Sequence, residues 1–137
     1  MAVLALVNEY VLFNAVELSD HTKSCTITAE SAALDSTAMG DTWVENTGGL
    51  KSGTTTLEAL DDFAAGSVDA TIWAAFNANV AVAMAVRPVN TTIATTNPEY
   101  QFNILPNQWN IGGSVGELAM KNLTYPITGA ITRDVTP

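Results

Sequence analysis

Lys23-Ser24-Cys25-Thr26-Ile27-Thr28-Ala29-Glu30 puts Cys25, Ile27 and Ala29 on one side and Ser24, Thr26, Thr28 and Glu30 on the other. Successive side chains of an extended chain point to opposite faces. An alternation of period two, rich in β-branched residues, therefore predicts a half-buried strand over residues 23–34. Residues 53–60 repeat the pattern, with Thr54, Thr56 and Glu58 facing one way and Thr55, Leu57 and Ala59 the other. Neither polar face carries a base between these residues. Taken alone, each is an ordinary solvated face. Cys25 reads as a small buried hydrophobe rather than a reactive thiol.

Working outward, residues 10–13 and 16–18 read as two short strands around a tight turn at Asn14-Ala15, followed by a polar turn at residues 19–22. Residues 35–50 read as a long loop with turns at Met39-Gly40-Asp41 and Thr47-Gly48-Gly49, and a short strand at Trp43-Val44. One segment has helical spacing. Ser67 suits the N-cap and Asp69 the first turn. Val68, Ile72, Ala75 and Phe76 form one stripe, the candidate core face of a helix of about ten residues that Asn77 or Asn79 can end. Residues 80–86 form a strand apolar on both faces, hence central, with small alanines that would let the helix lie close. Residues 99–109 predict a long strand edged by Pro106. Gly112-Gly113-Ser114 is a turn, and residues 118–131 give one or two strands interrupted by Pro126 and Gly129. The expected fold is mainly β: a sandwich or barrel of about seven or eight strands with one flanking α-helix. It forms a single domain over residues 1–137, with residues 1–9 as an apolar arm or first strand.

Composition narrows the function. Fourteen acids against five bases give a net charge of −9, with no basic cluster, which excludes a nucleic-acid grip. The opening apolar run, Ala2 to Val7, is far shorter than the ~20 residues a bilayer needs, and no cation precedes it as in a secretory leader. A single cysteine excludes an internal disulfide. Enzyme signatures are missing: no phosphate-cradling glycine loop, paired cysteines or calcium loop. Ser19-Asp20-His21 invites comparison with a triad, but triad members meet through the fold and not as chain neighbours. His21 is expected in a turn, Asp61-Asp62 as solvated acids, and Asp69 as a partner of the helix dipole. We therefore expect no enzyme, no metal and no cofactor. Trp43, Trp73 and Trp109 fall in three separate elements and suit packing or an interface better than a sugar platform. Asn90 and Asn122 match the glycosylation pattern, which arises readily in so Asn- and Thr-rich a chain.

Six segments occur in order along the chain: Val16-Glu17-Leu18-Ser19-Asp20-His21, Leu34-Asp35-Ser36-Thr37 with Gly40-Asp41-Thr42, Gly48-Gly49-Leu50-Lys51, residues 61–73, Val86-Arg87-Pro88 and Gly112-Gly113-Ser114-Val115-Gly116. This ordered set resembles the major tail (tail tube) proteins of long-tailed bacteriophages. The resemblance spans residues 10–133. It implies a structural virion protein that assembles with itself into stacked, hexameric rings, each subunit giving about four strands to an inner barrel through which the genome passes. The partners so implied are further copies of the chain and the tape measure, terminator and baseplate or tip proteins of the tail. DNA would pass without specific binding. The location so implied is the virion, after synthesis in the host bacterial cytoplasm. On this reading Ser24, Thr26, Thr28, Glu30, Thr54, Thr56 and Glu58 are candidate lumen-facing residues. Thr37, Gly40, Asp41, Thr42, Trp43, Glu45, Gly48 and Lys51 form a candidate loop from ring to ring. The alternatives are a terminator, a minor tail protein or a contractile-system tube, which share the fold. From another class comes a carbohydrate-binding β-sandwich, which needs Trp43 or Trp109 exposed beside polar groups.

Overall fold

The computed structural model describes residues 4, 5 and 7–137. The arm expected over residues 1–9 thus lies partly outside the described residues. Residues 7–9 run as irregular chain, and the Asn8 carbonyl accepts the Asn90 amide at 2.8 Å. Seven strands and one helix follow among the described residues. They are β1 (Tyr10–Phe13), β2 (Val16–Glu17), β3 (Thr22–Asp35), β4 (Asn46–Leu60), α1 (Val68–Ala78), β5 (Val82–Arg87), β6 (Glu99–Ile104) and β7 (Met120–Asp134). The strands form one antiparallel sheet in the order β2-β1-β5-β6-β7-β4-β3. Among the described residues no helix is long and apolar enough to cross a membrane.

β7 joins two halves of this sheet. Its residues 120–126 pair with β4, and its residues 127–134 with β6. Pro126 stands where the partner changes. It lies opposite Thr54 with no amide proton to donate, while its carbonyl accepts the Leu105 amide at 3.1 Å. Gly129 adopts φ 87°, and the β6–β7 register slips around it. Such a bulge bends its strand, and the sheet curls over. On a flat sheet β1 and β7, three strands apart, would be separated by about 14 Å. The Phe13 and Tyr125 rings nevertheless meet at 6.0 Å. Between the halves lies the core, built from Val11, Phe13, Leu57, Met84, Phe102, Ile104, Leu123 and Tyr125.

α1 closes the core with Val68, Thr71, Ile72 and Ala75. Ser67 occupies the N-cap in an extended conformation, although its side chain makes no capping bond. Asn79 ends the helix in the left-handed region. The expected core face is corrected at one position. Phe76 is exposed, because at 3.6 residues per turn it falls about 80° round from Val68, and Thr71 fills the stripe instead. Phe76 stacks on Trp73 at 6.0 Å.

Other expectations also change. β3 and β4 are longer than their alternation suggested, so the connecting loop shrinks to residues 36–45. Trp43-Val44 forms no strand, and Gly48 and Lys51 belong to β4. β5 begins at Val82, with Val80 exposed. It is interior to the sheet, its Val82-Met84-Val86 face belongs to the core that α1 closes, and on its other face Ala85 is buried while Ala83 is exposed. β6 stops at Ile104, and residues 105–119 are irregular, with their turn at residues 114–117. Residues 120–134 are one continuous strand.

Candidate assembly surfaces

Register brings the polar faces of β3 and β4 together. Ser24 lies opposite Glu58, Thr26 opposite Thr56 and Thr28 opposite Thr54, while Glu30 faces Ser52. All seven residues therefore share one side of the sheet. Cys25 and Ile27 turn the other way and pack on the core. Burial raises the Cys25 thiol to about 12, with the Glu9 charge adding to the effect. Ala29 departs from the expected half-burial and is exposed, because β3 there has passed beyond the core.

The polar face extends further than these seven positions. On β7, Asn122 and Thr124 lie opposite Glu58 and Thr56. On β6, Asn103 faces Thr128 and Gln101 faces Thr132. The alternation Lys121-Asn122-Leu123-Thr124-Tyr125 carried this signal, but only the pairing joins it to β4. Arg87 is the base this face reaches at β5, and it is neutralised. Its guanidinium pairs with Glu99, donates to the Thr91 carbonyl at 2.9 Å and stacks 4.1 Å from the Tyr10 ring centroid.

The far ends of β3 and β4 project as a hairpin. β4 leaves β7 at Thr54, and residues 28–35 and 46–52 are exposed apart from a half-buried Gly49. Gly53 sits at the branch point, where a Cβ would come within 3.0 Å of the Thr28 carbonyl and 3.1 Å of Ile127 Cδ1. The tip is ordered by its own hydrogen bonds. The Glu45 amide donates to Thr37 Oγ1 at 2.8 Å, the Ser36 amide to the Glu45 carbonyl at 2.9 Å, and the Ala38 amide to Asp41 Oδ2 at 2.7 Å. Thr37, Gly40, Asp41, Thr42, Trp43 and Glu45 form this tip, while Gly48 and Lys51 stand on the β4 arm. Met39, Trp43, Val44 and Leu50 are almost fully exposed. Sequence reasoning placed the loop without seeing how much apolar surface it carries.

A cluster of buried charge lies at the opposite end of β4. The Lys121 side chain is wholly buried. Its Nζ lies 2.8 Å from Asp69 Oδ1 and 3.2 Å from Asp61 Oδ2, and it donates to the Asn110 carbonyl at 2.6 Å. The Trp109 ring covers the ammonium at 5.0 Å, and its Nε1 donates to Asp69. Asp61 is likewise fully buried. The reading of Asp61 as a solvated turn acid and of Asp69 as a dipole partner alone is corrected: both hold Lys121. Asp62 does cap the turn. The Ala64 amide and the Ser67 hydroxyl lower its pKa, and His21, 3.0 Å away, adds to them. Trp73 and Trp109, distant in sequence, meet edge to face at 4.7 Å.

No family model matches the chain, and neither does any curated protein. Solved structures do. A chain of a native gene transfer agent virion superposes with a TM-score of 0.73 at 14% identity, over 92% of this chain and 95% of that one. A chain in the tail of an empty gene transfer agent particle, refined helically with C6 symmetry, superposes with a TM-score of 0.63 at 16% identity, over 82% and 81%. At these identities the likeness is one of fold. The mainly β tail-protein fold expected from the resemblance is the fold observed.

Proposed function

We propose that this chain is the repeating subunit of a phage tail tube, a structural protein and not an enzyme. The observation that carries the reading is the polar sheet face that spans β3, β4, β7 and β6, interrupted at Pro126, with Ser, Thr, Asn, Gln and Glu side chains and no base on those four strands' shared face among the described residues. Six copies would place about twenty-four strands in one inner barrel. At ~4.8 Å spacing and ~40° tilt the circumference is near ~150 Å and the backbone diameter somewhat above ~45 Å. A duplex passes through such a bore.

Charge then has a mechanical role. A ring of six carries 6 × −9 = −54, and DNA carries about one negative charge per ~1.7 Å. A basic lining would hold the genome, whereas a neutral to acidic one lets it slide. The projecting hairpin supplies the contact from ring to ring, because Met39, Trp43 and Val44 gain burial only against another subunit. Closing the sheet between subunits also removes the free edge of the long β3 strand. The tape measure, terminator and tip proteins of the tail are the remaining partners, and the virion is the location.

Negative-stain microscopy of concentrated protein tests the reading. Long tubes are expected, and single rings would point to a terminator. Met39→Ser with Trp43→Ser leaves the core untouched and should give folded subunits that do not stack. Normal tubes from this variant would remove the hairpin from the interface.

A further inference from the structure

The side chains of Lys121 and Asp61 are both wholly buried and in contact. Neither Asp61 oxygen receives a hydrogen bond of normal geometry, although Lys121 Nζ stands 3.2 Å from Oδ2. The amine therefore lies against the carboxyl group outside hydrogen-bonding geometry, with Cγ, the atom it would attack, one bond beyond Oδ2. A second carboxylate, Asp69, forms an ion pair with the same nitrogen at 2.8 Å and is partly open to solvent. Trp109 lies over the nitrogen. An amine, a carboxyl group, a proton carrier and a water-excluding ring are the parts an amide-forming site needs.

We propose that Lys121 and Asp61 join in an intramolecular isopeptide bond, with Asp69 carrying the proton. Passing one proton from the ammonium to Asp61 gives the neutral amine and the carboxylic acid. Nζ attacks Cγ of Asp61, and the Nζ–Cγ bond forms as one Cγ–O bond breaks. The hydroxyl leaves as water with the proton that Asp69 takes from the nitrogen and returns to the departing oxygen. No oxidant, reductant or cofactor enters the balance. The product replaces two buried charges and an unsatisfied oxygen with one amide. It ties the end of β4 to β7, enclosing α1, β5 and β6 in a covalent loop.

Mass spectrometry of the full-length chain tests this independently of any tube. The intact protein should be lighter than its sequence by one water, with the Asp61 and Lys121 peptides recovered as one branched species. Lys121→Arg should restore the full sequence mass. Asp69→Asn, which keeps the hydrogen-bond acceptor, should fold with an unchanged circular dichroism spectrum and show the full mass. A native chain at full mass overturns the proposal. So does a water loss that survives Lys121→Arg, since that loss belongs to an aspartyl succinimide. A branched peptide from Asp69→Asn would remove Asp69 from the reaction.

Discussion

Lys121 Nζ and Asp69 Oδ1 lie 2.8 Å apart, and this contact fastens β7 to the first turn of α1. The same ammonium reaches Asp61 beyond the end of β4 and the Asn110 carbonyl in the irregular stretch of residues 105–119. Four parts of the chain thus meet at one buried nitrogen. Removing it leaves the buried Asp61 carboxyl without its partner. Lys121→Ala should cost about 3–5 kcal/mol, the usual penalty for breaking a buried pair from one side, read from urea unfolding midpoints.

Gly53 allows β3, β4 and β7 to crowd together where the hairpin departs. Gly53→Ala would drive a methyl to 3.0 Å from the Thr28 carbonyl, a backbone atom that cannot step aside. A loss of about 1–3 kcal/mol is expected, together with increased amide exchange along residues 28–30.

The β1–β2 turn is a two-residue connection with Asn14 at φ 48° and Ala15 at φ 66°. Glycine suits the second position of such a turn, whereas alanine is strained there by about 1–2 kcal/mol. Part of that gain is lost to the greater freedom of glycine in the unfolded chain. Ala15→Gly should still stabilise by about 1 kcal/mol, visible as a higher melting temperature.

Cys25 is held protonated by burial, its thiol raised to about 12 from an ordinary value of 9.0. Native protein at pH 8 should react slowly with a disulfide reagent, and denaturant should release the full thiol signal at once. The sign for stability follows. The unfolded thiol ionises first as pH rises, so this group's contribution is complete below about pH 9 and is lost toward pH 12. Cys25→Ser should flatten that alkaline slope.

Thr26→Lys with Thr56→Lys places two bases opposite each other on the polar face. Both positions reach solvent, so the fold should survive apart from the small cost of paired like charges. Assembled tubes of the variant should bind duplex DNA with an affinity that falls steeply with salt, measured by filter binding from 50 to 200 mM salt. Native tubes should not bind.

The alternation Ser24-Cys25-Thr26-Ile27-Thr28 determined, without any structure, that this segment is a strand and which side of it meets the core. Side-chain direction in a strand is a local property of period two. The helix at Val68–Ala78 was equally legible, because its stripe and its caps lie within a dozen residues. What residues 34–50 would do was not legible. Gly48, Gly49 and Leu50 resemble a turn, and only pairing with β3 keeps them extended. The tertiary structure alone decided that Phe76 stays outside, that Asn122 and Thr124 continue the face begun by Thr56, and that scattered Lys121 becomes the buried centre of a charge cluster. Each of these depends on which strand lies beside which. A strand's own sequence specifies its faces, whereas its neighbours are chosen by the closing of the whole sheet around one core.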